Sequence, residues 1–139
     1  MGKTNSAVIT ATLAAGSVAS PYFAQVNISQ RLCHKSCVDS RPTFAPSFSV
    51  ESISEVGTNQ YVVTIHIDGV IFYTPCNGNE CCTKPQQIEQ NFTIPFSSTT
   101  APTSVTVASG TPVNAIVGGA CQSCSRQFVS EVPLTLTVA

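Results

Sequence analysis

Seven cysteines and two histidines carry most of the reactive chemistry in this chain. The cysteines are Cys33, Cys37, Cys76, Cys81, Cys82, Cys121 and Cys124, grouped as "CHKSC", "CNGNECC" and "CQSC". Oxidation would staple loops together. Six cysteines could make three bridges, with fifteen connectivities, and the seventh would stay free or bond to another copy. Two close pairs of thiolates would instead fill a tetrahedral zinc site. The Cys121/Cys124 spacing suits such a site and Cys33/Cys37 is acceptable. Cys81 and Cys82 suit it poorly, because neighbours on an extended chain point apart. A third state is a reduced set of small buried thiols. Disulfides are the preferred reading, structural zinc is the minor alternative, and no other metal or cofactor is expected. A redox role for "CQSC" needs a strand–CxxC–helix context, which the surrounding sequence does not offer.

The remaining candidates for catalysis are weak. His34 adjoins Cys33, and adjacent residues rarely face each other as a nucleophile–base pair must. His66 has Asp68 two residues on, which shares its face if one strand runs through both. No G-x-S-x-G elbow supplies a nucleophile, and "VGGAC" lacks the Lys-Ser/Thr of a phosphate loop. The seven acids are scattered, with no pair placed for general acid–base work. The chain therefore reads as a non-enzyme, with His66 as an ordinary strand histidine. Arg31, Lys35 and Arg41 form the only basic cluster. It reads as a solvated loop, with an acidic partner surface as the alternative.

The elements around these residues alternate with a period of two. "SAVITATLA" (6–14) and "YFAQVNIS" (22–29) read as strands. "FSVESISEV" (48–56) is irregular: it is either weakly amphipathic or carries a bulge near Ser52. A turn at 57–59 leads into "QYVVTIHI" (60–67). Asp68-Gly69 then signals either a two-residue hairpin or a bulge within one long strand. Further strands are expected at 70–74, 90–96, 103–109, 112–118 and 127–138. Pro133 demotes the middle of the last run, so its paired part is Leu134–Val138 or the run is an edge. Segments 40–47 and 97–104 read as loops. About eight short antiparallel strands, with punctuation every 8–12 residues, predict an all-β fold. The expectation is a single β-sandwich domain over residues 1–139, immunoglobulin-like or jelly-roll-like, with the cysteines in loops meeting at one end.

Composition narrows the partners. Only 9% of residues are charged, against about a quarter in typical domains, and the net charge is −1. No basic field exists for nucleic acid. No apolar run reaches the roughly 18–20 residues that cross a membrane. The first residues loosely match a signal peptide, but Thr10 and Thr12 interrupt the apolar run. "MGKTNS" fits a myristoylation pattern that requires removal of Met1; a chain that keeps an ordered Met1 would exclude both. A weakly charged Ser/Thr surface suits a protein packed among neighbours, and it also suits a secreted β-domain.

"AVITATLAAGSVASPYF" (7–23), "CNGNECCTK" (76–84), "QNFTIPF" (90–96) and "SEVPLTLTVA" (130–139) resemble small Thr/Ser/Val-rich, cysteine-containing virion proteins of gut bacteriophages, including the crAss-like phages. The resemblance implies a capsid decoration or head-fibre subunit on the virion surface. The expected function is therefore a structural subunit that contacts copies of itself and other structural proteins. Its assembly strands would be an N-terminal one with Ala7, Val8, Ile9 and Leu13 and a C-terminal one with Leu134, Leu136 and Val138. Residues 1–20 would serve as an arm or exchanged strand. The alternative is a secreted, disulfide-stapled binding module or a subunit of an extracellular filament.

Overall fold

The computed structural model describes residues 7–14, 20–31, 42–73, 76–77, 80–81, 84–117 and 127–139. Residues 1–6, with Met1, and Cys33, Cys37, Cys82, Cys121 and Cys124 lie outside the described residues. The described chain is all-β. Its strands are β1 (Val8–Leu13), β2 (Tyr22–Arg31), β3 (Thr43–Phe44), β4 (Ser47–Gly57), β5 (Gln60–Tyr73), β6 (Cys76–Asn77), β7 (Glu80–Cys81), β8 (Lys84–Ser97), β9 (Val105–Ser109), β10 (Val113–Val117) and β11 (Gln127–Val138).

Alternation decides which side of each strand faces inward. On β2, Tyr22, Ala24, Val26 and Ile28 are buried while Phe23, Gln25 and Asn27 face out. On β5, Tyr61, Val63, Ile65, Ile67 and Ile71 are buried in the same rhythm. Removing these branched side chains from water is the main force holding two sheets face to face.

One sheet runs β1-β2-β11-β10, with β9 also on β11, and every pair is antiparallel. Strands β10 and β9 share one side of β11: β10 lies along Gln127–Glu131 and β9 along Leu134–Val138. The other sheet centres on β5, with β8 on one side and β4 and β3 dividing the other. Strands β6 and β7 form a separate small ladder. Counting β3/β4 and β9/β10 as single interrupted strands, the chain lays two strands in the first sheet, three in the second and two more back in the first. An immunoglobulin domain instead groups its third, sixth and seventh strands, so this sandwich has a different order.

Aromatic rings join the sheets at both ends. Tyr22 of β2 meets Phe96 of β8 with ring centroids 5.3 Å apart, and Tyr61 stacks on the same ring at 5.8 Å. At the other end Phe44 of β3 meets Phe128 of β11 edge-on at 5.4 Å.

Four local expectations are resolved or corrected. Asp68-Gly69 makes no hairpin, since β5 pairs with β8 in unbroken register through both residues. The reason lies across the sheet. A Cβ on Gly69 would sit 2.7 Å from Phe44 Cε1 and 3.0 Å from Pro46 Cα, so the glycine makes room where the β3–β4 junction crosses β5. That junction also puts a short strand in the segment read as a loop. In β4 the bulge is present: Val50 pairs with Ile65 and Ser52 with Thr64, so Glu51 is the extra residue. The shift turns Phe48, Val50 and Ile53 toward the core together.

The fourth correction is Pro133. Strand β11 is unbroken and central, not an edge. The Gly110 N–H donates to the Pro133 carbonyl at 2.8 Å, which places that residue's backbone polar side toward β9 and β10. The missing N–H therefore faces the junction where β10 hands over to β9, so no regular ladder bond is lost there.

Candidate functional site

Strand β1 pairs with β2 alone and so forms an edge of its sheet. Ile9, Ala11 and Leu13 pack on the core, while Val8 is 66% exposed. Ala7 is buried just ahead of the strand and is held from the opposite sheet. Its N–H donates to Gln90 Oε1 at 3.0 Å, and its carbonyl accepts from Gln90 Nε2 at 3.0 Å. The side-chain amide thus stands in for a neighbouring strand. The C-terminal segment is placed differently. Leu134 and Leu136 are buried on β11, paired with β2 on one side and β9 on the other. Val138 pairs with Val105, and its N–H donates to Ser20 Oγ at 2.9 Å. Of the two end segments, β1 presents an edge and β11 does not.

The outer face of the same sheet is flat and nearly uncharged. One row of register partners reads Val8, Ser29, Val129, Ala115; the next reads Thr10, Asn27, Glu131, Val113. Val113 is 69% exposed, and Phe23 and Val117 also face solvent. Glu131 accepts from Gln25 Nε2 at 3.1 Å, which ties the charge down within the face. Ser130 and Asn114, one residue off in each strand, point inward and bond to each other at 2.6 Å.

The outer face of the second sheet is polar. His66 lies at half exposure between Asn91 and Glu89, with Nδ1 2.7 Å from Asn91 Oδ1 and Nε2 3.3 Å from Glu89 Oε2. Its pKa is raised above 6.5, first by the Asn91 hydrogen bond and then by Glu89, against a small opposing desolvation. An imidazolium can donate at both nitrogens, and both flanking oxygens accept. Asp68 shares the face and takes a bond from Gln87 Nε2 at 3.3 Å rather than from His66. No nucleophile stands beside the ring among these partners, and among the described residues no group of three ligating side chains is placed to hold a metal.

Of the cysteines, Cys76 and Cys81 are placed by their backbone, as partners across the β6–β7 ladder. The strand ends flanking all three cysteine segments lie at one end of the sandwich. Arg31 and Val117 both pair with Gln127 in the first sheet; Thr43 pairs with Phe72, and Tyr73 with Lys84, in the second. The Phe44–Phe128 ring contact ties those two sets of ends together. Of the basic cluster, Arg31 ends β2, while Lys35 and Arg41 lie outside the described residues.

Gln90, Val113 and Val117 had not been marked as site residues. Gln90 had a signal, as the one polar residue on the apolar face Ile88-Gln90-Phe92-Ile94-Phe96. In "VNAIV" both faces of the strand hold a valine or isoleucine, so the alternation does not say which side is outward. Comparison of the chain with protein-family models, curated proteins and solved structures finds no match.

Proposed function

We propose that this protein is a non-enzymatic structural subunit that docks to copies of itself through β1 and the neutral outer face of its sheet. Bacteriophage capsid decoration or a head fibre is the assembly that the sequence resemblance favours, with the virion surface as its location. The observation carrying the reading is that face: Val8, Val113, Val117 and Phe23 stand exposed around a centre of Thr, Ser, Ala and Asn with one carboxylate. A net charge of −1 offers little repulsion between copies. An uncovered, uncharged edge strand invites pairing with another chain.

Size-exclusion chromatography with light scattering tests it. The full chain should form concentration-dependent species larger than one subunit. Deleting residues 1–14, or substituting Val113→Lys, should give a folded monomer. A wild-type chain that stays monomeric at high concentration overturns the proposal.

The gathering of the cysteine-flanking strand ends at one end of the sandwich favours a second reading, a secreted, disulfide-stapled binding module. That reading expects a stable monomer whose melting temperature collapses on reduction.

A further inference from the structure

We infer that Cys76 and Cys81 form a disulfide across the β6–β7 ladder, within one chain. The register sets Cys76 directly opposite Cys81 and Asn77 opposite Glu80. Gly78-Asn79, between them, is the residue pairing that two-residue hairpin loops favour. In such a hairpin the pair beside the loop exchanges hydrogen bonds, and the next pair outward does not. Non-hydrogen-bonded partners come closest, with Cα atoms about 4.5 Å apart. A disulfide accepts Cα separations of about 4.4–6.8 Å, so the register itself brings this pair into range. Adjacent Cys82 falls outside the register pair. It is left, with the other four cysteines, for a longer-range bond, a contact between copies or a free thiol.

Bond formation needs an oxidant, and a small disulfide such as oxidised glutathione supplies it. One cysteine thiolate attacks a glutathione sulfur and releases one glutathione thiolate. The second cysteine thiolate then attacks the protein sulfur of the mixed disulfide and releases the other. Two protein thiols and one small disulfide become one protein disulfide and two small thiols, which take up the two protons. The inference does not depend on self-assembly.

Peptide mapping tests it. The full chain is equilibrated in a glutathione buffer, its free thiols are alkylated, and the band of single-chain mass from a non-reducing gel is digested with a Glu-specific protease. Cleavage at Glu80 separates peptide 56–80 from peptide 81–89, so the bond should hold them together until reduction. Fragmentation between residues 81 and 82 should assign the link to Cys81, and a Cys82→Ser chain should keep it. Alkylated, separate peptides overturn the inference. So does Cys76 linked to Cys82 or to a peptide carrying Cys33, Cys37, Cys121 or Cys124.

Discussion

Gln90 of β8 grips Ala7 by both of its backbone polar groups, 83 positions away in the chain. One side chain thereby closes the gap between the two sheets beside β1. Gln90→Leu keeps the bulk but leaves both Ala7 groups without that partner. Two part-buried hydrogen bonds are together worth about 1–3 kcal/mol. The variant should unfold at a lower urea concentration by that amount, and amides of Val8–Leu13 should exchange faster than those of β5. If β1 is the docking strand, loosening it should also change the rate of self-association.

Phe44 occupies the space a side chain at residue 69 would need. Gly69→Ala should destabilise by about 1–3 kcal/mol, the usual range for overpacking. In a Phe44→Ala background the clash is gone, and the same change should be neutral or stabilising, because alanine restricts the unfolded chain more than glycine. A double-mutant cycle from urea unfolding measures the difference. Equal costs in both backgrounds would mean that Phe44 does not set the glycine requirement.

His66 should titrate above pH 6.5, followed by its ring proton shifts in NMR. The raised pKa means that protonation favours the folded state. Its contribution is fully present below pH 6.5 and fades as pH rises through the folded-state value. Asn91→Leu removes the largest cause and should lower the pKa most. Glu89→Gln should lower it less, and added salt should weaken the Glu89 part because both groups are partly exposed.

Alternation made β2 and β5 legible, because Tyr22–Ile28 and Tyr61–Ile67 each bury one face completely. The bulge in β4 was legible for the same reason, since Ile53 fell on the wrong face until one residue was skipped. Asp68-Gly69 was ambiguous because a turn glycine and a close-approach glycine look alike. The deciding residue, Phe44, arrives from another strand. Pro133 misled for the same reason: a proline argues against a central strand unless the partner strand breaks opposite it, and that break lies at Gly110. The site divides in this way too. Val8 could be marked from its own strand, but the Gln90–Ala7 grip and the central position of Leu134 and Leu136 are products of topology.

Gly110 and Pro133 supply the last prediction. A Cβ on Gly110 would lie 2.7 Å from Pro133 Cγ, and a proline ring has little room to yield. The Gly110 N–H must still reach the Pro133 carbonyl, so the backbone there is held close. Gly110→Ala should therefore destabilise by about 1–3 kcal/mol in the native chain. In a Pro133→Ala background, with the ring removed, most of that loss should disappear. Thermal unfolding of the four variants measures the coupling. If the loss is undiminished without the ring, backbone conformation rather than side-chain contact sets the need for glycine where β9 passes into β10.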